Sequence, residues 1–224
     1  MDINYKVSFK IFGSILCVLS ASMLLPLIVG LIYKDYASSL AFAYTLVPSS
    51  ILGLLLIKLT SVKSNKLKMR DGAFIVSVSW ILCGLIGAIP FVITGSIPNF
   101  ISAFFETCSG FSTTGATVIP DVEIIPKAVL FWRSFTHWLG GMGILVFAFA
   151  FLPKTKGAVN VMRAEVPGHT FGKLVSRLDT TAQILYKIYV ILTLVFIVVL
   201  MLCGMSPFDA FIHGFGTAGT GGFS

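Results

Sequence analysis

The uncharged runs of this sequence constrain it more than any short motif does. A helix crossing a hydrocarbon core about 30 Å thick needs about 20 mostly apolar residues, so stretches free of Asp, Glu, Lys and Arg can be measured against that length. Ile11 to Tyr33 and Tyr36 to Ile57 each fit one crossing. The first lacks a small-residue cleavage signal and is too long for a signal-peptide core, so it is expected to remain as a span. The run from Gly72 to Phe105 is too long for one helix and too short for two. Pro90 and Pro98 divide it, which predicts a spanning helix over about Gly72 to Thr94 and a short helix over about Asn99 to Ser109 that cannot reach the far side. The stretch FSTTGATVIP follows, then a further apolar run from Phe135 to Leu152, with another span over roughly Gln183 to Gly204. The expected fold is an all-α polytopic membrane protein. Two extra N-terminal helices and a loop occupy 1–71, a helix, re-entrant loop and helix unit 72–153, a linker 154–182, and a second, incomplete unit 183–224.

Composition agrees with a membrane setting. Hydrophobic residues make up 56% of the chain and charged residues 11%, against about 25% charged in soluble proteins. With the N-terminus on the cytoplasmic side, the segment before Ile11, the segment Lys58 to Asp71 and the segment Lys154 to Lys187 face inward and hold thirteen of the sixteen basic residues. That positive-inside bias requires an even number of crossings between those segments, which holds only if the short helix at Asn99 re-enters. The outer side then carries Asp35, Glu106, Asp121, Glu123 and Asp209, a balance that either attracts cations to a mouth or, at Asp121 and Glu123, simply solvates a loop. Inward lysines and arginines beside anionic lipid account for the net charge of +7 without a nucleic-acid partner. Cys17, Cys83, Cys108 and Cys203 stand apart without a C-x-x-C or a nearby histidine pair, as structural thiols do.

The last eleven residues, GFGTAGTGGFS, hold Gly214, Gly216 and Gly219 in dinucleotide-loop spacing, yet no strand precedes them and no ribose-binding acid follows. An internal repeat explains them better. With an offset of 107 and no gap, Ser102–Thr117 aligns on Asp209–Ser224, so Ala103 meets Ala210, Phe104 meets Phe211, Thr113 meets Thr220 and Gly115 meets Gly222. A spanning helix and a proline precede both copies, Pro98 in one and Pro207 in the other. Two such loops suit a pore. A cation that sheds its water needs several oxygens at once, and inward-facing backbone carbonyls supply them without a trapping charge. Glycine permits the backbone angles involved, and threonine adds hydroxyls on a narrow wall. The candidate ion-binding residues are Thr113, Thr114, Gly115, Thr220, Gly221 and Gly222, with Ser112 in support. Arg133, at the start of a helix and at membrane depth, needs a partner. Glu106 is the expected one, as an ion pair bracing the loop. Gly140, Gly141 and Gly143 are read as small packing residues, with a hinge as the other possibility. His137, His169 and His213 show no metal spacing, and no nucleophile and base pair or acid dyad points to an enzyme.

SGFSTTGATVIPDVE, WRSFTHWLGGMGILVFAFAFLP and MRAEVPG together resemble the TrkH/TrkG branch of the Trk/Ktr potassium-uptake family, with similarity along essentially the whole chain. The resemblance implies a bacterial inner-membrane pore subunit built from four helix, pore-loop, helix repeats of the potassium-channel type, each giving one filter strand with a single glycine. Gly115 and Gly222 take that role here. This sequence corresponds to the N-terminal half, through the second filter. Potassium is then the substrate and no cofactor is bound. The resemblance further implies a homodimer in membrane lipid and a cytoplasmic TrkA-type nucleotide-binding regulatory ring, with the 154–187 segment a candidate contact. A proton- or sodium-coupled secondary symporter and a non-conducting truncated fragment are the other readings to weigh.

Overall fold

A computed structural model describes residues 5–60, 69–143 and 178–223. Every regular element among them is an α-helix. Four helices are long and apolar enough to cross a membrane: Tyr5–Ile32, Tyr36–Leu59, Arg70–Ile93 and Gln183–Leu202. The expected first span is in fact two helices, α1 (Tyr5–Ser22) and α2 (Leu24–Ile32), separated by Met23. Pro26 has no N–H to donate to the Ser22 carbonyl four residues back, so the helix breaks there. Asp35 then caps α3 (Tyr36–Leu59) by accepting from the Ser38 N–H at 3.1 Å. A hydroxyl pair, Ser20 and Ser49 at 2.8 Å, joins α1 to α3 inside their shared apolar surface.

The next helix, α4 (Met69–Ile93), runs through Pro90 and ends before Gly95, whose φ is +71°. A short helix, α5 (Phe100–Phe111), starts at an Asn99 cap that accepts from the Ser102 N–H at 3.1 Å. With 12 residues, α5 rises about 18 Å, well short of a bilayer core. The described part of α6 (Lys127–Gly141) begins at Lys127, eight residues before the expected apolar run, so Arg133 lies in mid-helix and not at its start. Residues 144–152 of that run, and the 154–177 stretch of the linker, lie outside the described residues. The helix α7 (Leu178–Leu202) leads to a second short helix, α8 (Pro207–Ala218), capped by Ser206.

The second pair repeats the first in detail. Each bound of α8 equals the corresponding bound of α5 plus 107, and Ser206 stands where Asn99 stood. The two prolines are not equivalent: Pro98 precedes the cap, while Pro207 is the first helical residue, where a missing N–H is harmless. The α7 and α4 ends are instead related by 109, so the connection before α8 is two residues shorter.

Between the two short helices stands α6, which packs on both α5 and α8. From Phe131 to His137 every residue of α6 is buried. Trp132 donates its indole N–H to the Gly87 carbonyl of α4 at 3.0 Å. Six residues on, Trp138 donates to the Thr193 hydroxyl of α7 at 3.1 Å, and the Tyr189 hydroxyl donates to the Trp138 carbonyl at 3.1 Å. Away from these contacts, α7 exposes Ile184, Leu185, Ile188, Ile191, Leu192 and Leu194, as a lipid-facing helix would.

Candidate ion-conducting site

Both short helices end in the same backbone turn. After α5, Ser112 N–H donates to Cys108, Thr113 N–H to Gly110 and Thr114 N–H to the Ser109 carbonyl, at 2.9, 3.0 and 3.0 Å. After α8, Gly219 N–H donates to Phe215, Thr220 N–H to Thr217 and Gly221 N–H to the Gly216 carbonyl, at 2.9, 3.0 and 3.4 Å. This is the Schellman arrangement, in which the residue past the cap adopts a left-handed conformation, ordinarily as glycine. Here that residue is threonine both times, with φ +55° at Thr113 and +61° at Thr220. A β-branched residue there is strained by about 1–2 kcal/mol. Two residues on, Gly115 and Gly222 also have positive φ, +76° and +59°. The C-terminal, partially negative ends of α5 and α8 thus both open onto a threonine and glycine turn, a polarity that favours a cation.

The two turns touch. A Cβ built on Gly115 would collide with the Gly221 carbonyl, whereas one built on Gly222 meets nothing within 4 Å. The expected ion-binding residues are therefore brought together as two adjacent strands, with Ser112 and Thr114 sharing a hydroxyl hydrogen bond of 2.7 Å beside the first.

One buried ion pair holds both strands from behind. Arg133 donates Nε–H to Glu106 Oε1 at 2.7 Å, with the two side chains 2% and 0% exposed. Glu106 spends its remaining acceptor capacity on the chain just beyond the first turn: Thr117 Oγ1–H at 2.8 Å and the Val118 N–H at 2.8 Å. From its other side Arg133 donates Nη1–H to the Phe223 carbonyl, and its guanidinium stacks 3.6 Å from the Phe223 ring centroid. A planar fork can serve a carboxylate and a carbonyl in different directions, which an ammonium on a flexible stem does less well. The pair thus connects the exits of the two turns.

The α6 glycines make the approach possible. A Cβ on Gly140 would collide with the Phe111 carbonyl at the end of α5, and one on Gly141 would lie 3.1 Å from Gly219 Cα and 2.5 Å from the Tyr189 hydroxyl oxygen. Gly143, with φ +69°, closes the last turn of α6.

Thr117, Val118 and Phe223 are not singled out by sequence reasoning: Val118 acts through a backbone N–H, Phe223 through a carbonyl and a ring, and Thr117 through a hydroxyl, none of which the sequence ties to a buried ion pair. His137 was set aside for want of metal spacing, yet it is fully buried against Gly219, Gly221 and Phe223. Its position four residues after Arg133, on the same helix face, was the signal available. Among the described residues no group of three or more His, Cys, Asp or Glu side chains could hold a metal ion.

These features define a class: a polytopic helical membrane protein in which two short helices end in equivalent oxygen-rich turns. The family described as TrkH, cation transport protein, matches residues 38–224. The Trk system potassium uptake protein TrkH of Vibrio parahaemolyticus is 40% identical over 225 residues, covering 99% of this chain and 46% of that protein. The TrkG protein of Escherichia coli K12 is 39% identical, with 99% and 46% covered. The crystal structure of the potassium transporter TrkH from Vibrio parahaemolyticus superposes with a TM-score of 0.77 at 37% identity, over 95% of this chain and 42% of that one. The chain belongs to the TrkH cation transport protein family, and it spans about half the length of the curated relatives it matches.

Proposed function

We propose that this chain forms part of the pore of a Trk-type potassium uptake system in the bacterial inner membrane, with the N-terminus cytoplasmic. The turns 112–115 and 219–222 act as re-entrant filter strands whose carbonyl and threonine oxygens replace the water of a passing potassium ion. The observation that supports this most is the paired strain: left-handed threonine and left-handed glycine recur at an offset of 107, at the ends of two short helices. Strain of that kind persists where the surroundings over-determine it, commonly at functional sites. Glu106 and Arg133 brace the strands and do not carry the ion. Homodimer formation and control by a TrkA-type cytoplasmic ring follow from the family reading. The membrane path then alternates spanning helices with half-helices, and α6 is the outer helix of the first unit.

The test is potassium flux through the full-length gene product in proteoliposomes, with Gly115→Ser as the probe. Wild-type protein is expected to pass potassium in preference to sodium, and Gly115→Ser to lower that ratio while still inserting. Wild-type protein that passes no potassium, or an unchanged ratio in the variant, would overturn the assignment. Flux that requires an imposed proton or sodium gradient would point to the symporter reading.

A further inference from the structure

Resting on the filter reading above, we infer that His137 is a positioning residue for the second filter strand, its ring filling from α6 the space that the first strand fills with its own side chains. The argument starts from the offset of 107, which sets Ser112 against Gly219 and Thr114 against Gly221. In the first turn the Ser112 and Thr114 hydroxyls bond each other at 2.7 Å, clipping the two sides of the left-handed Thr113 together. In the second turn both side chains are missing.

Their space is not empty. A Cβ built on Gly221 would fall within the His137 imidazole, against Nε2 and Cε1, and a Cβ built on Gly219 would lie 2.5 Å from Cδ2 of the same ring. One side chain from α6 therefore occupies the volume of two absent ones. Phe223 closes the other side, its ring centroid 4.9 Å from that of His137. The imidazole is fully buried, and neither nitrogen has a hydrogen-bond partner among the described residues. Its contact with the second turn is therefore one of volume: the Nε2 and Cε1 edge lies where a Gly221 side chain would begin, and the Gly221 carbonyl lies in turn against Gly115 of the first turn.

The test varies the volume at position 137 in the full-length protein in proteoliposomes. His137→Ala empties the space beside Gly219 and Gly221, and the potassium-over-sodium ratio is expected to fall about fivefold. His137→Gln and His137→Leu refill most of that space, and the ratio is expected to stay within about twofold of wild type in both. His137→Val, which refills part of it, is expected to fall in between. Equal ratios in wild type and the Ala variant, or a fall in the Gln and Leu variants as large as in the Ala variant, would overturn the inference while leaving the potassium reading intact. The wild-type control is read first, and absence of potassium flux there sinks the filter reading and this inference with it.

Discussion

The turn after α5 and the turn after α8 share a backbone and differ in what stands behind it. The first is held by its own unit: Glu106, on the short helix that leads into the turn, accepts from Thr117 and Val118 beyond it. The residue of α8 equivalent to Glu106 is His213, which is exposed. The second turn is held from outside, by Arg133 on the Phe223 carbonyl and by His137 against Gly219 and Gly221, all from α6. The difference teaches that equivalent backbones need not carry equivalent braces, and that α6 couples the two. Damage to α6 should therefore reach both turns, and damage to α5 mainly the first.

The largest effect expected is from Arg133→Ala. It leaves the Glu106 carboxylate buried without its ion and frees the Phe223 carbonyl, and breaking a buried pair in this way costs about 3–5 kcal/mol. Thermal unfolding of the purified protein should show a large loss, and membrane abundance should fall. Replacing both partners by leucine should cost less than either single change, because no orphan charge remains. A stability within about 1 kcal/mol of wild type for Arg133→Ala would break the bracing argument.

Next are the glycines. Alanine at Gly115 or Gly222 must adopt a left-handed conformation costing about 1–2 kcal/mol. Only at Gly115 does the new methyl also strike a neighbour, the Gly221 carbonyl, which raises the expected total to about 3 kcal/mol. Gly115→Ala should therefore lose more stability and more potassium flux than Gly222→Ala. Equal losses would mean that the strands do not touch as described.

Thr113→Gly and Thr220→Gly should act the other way on stability. Each releases the strain of a β-branched residue at positive φ, partly offset by the chain entropy of glycine, for a net gain of about 0.5–1 kcal/mol. The gain should be alike at both turns, since the backbone is alike. Selectivity in flux assays should fall despite it, because the side-chain oxygen is lost. A loss of stability at either site would show that the threonine is held by contacts rather than tolerated under strain.

How much of this was legible beforehand depends on which physics decides. Uncharged runs and proline positions were enough to place α3, α4, α5 and α7 within a few residues, because membrane thickness leaves few alternatives. The start of α6 was missed by eight residues, since Lys127 and Arg133 break the apolar run, yet Arg133 is carried inside by its ion pair. The break at Met23 was hidden in an unbroken apolar stretch, although Pro26 marks it in hindsight. Gly115 and Gly222 could be picked because residue type there answers to backbone angle, whereas Thr113 and Thr220 could be picked only because the repeat aligns them, since their left-handed backbone runs against their residue type. Phe223 could not, because Arg133 meets it through a carbonyl that every residue has and through a ring whose distant partner the sequence does not name. His137 was illegible as a neighbour of Gly221 for the same reason: the absence of a side chain in one helix turn says nothing about which distant ring fills it.

The smallest prediction concerns how the second unit is anchored at the start of α8, beyond its Ser206 cap. Lys127, the exposed first residue of α6, sets its ammonium 4.3 Å from the Tyr33 ring centroid and 5.1 Å from that of Phe208, and those two rings meet edge to face at 5.4 Å. One cation thereby ties the end of α2, the start of α6 and the start of α8. An exposed cation–π contact contributes about 0.5–1 kcal/mol, so Lys127→Ala should lower stability by about that much and leave potassium selectivity unchanged. Lys127→Arg, which keeps a cation able to stack on the rings, should retain most of it. The decisive measurement is a double-mutant cycle with Tyr33→Leu: if the contact is real, the two losses should fall short of additive by about 0.5 kcal/mol. Full additivity would remove this anchor. The cap at Ser206 would then match the cap at Asn99 with no added cation, and at this end the two units would no longer differ in that respect.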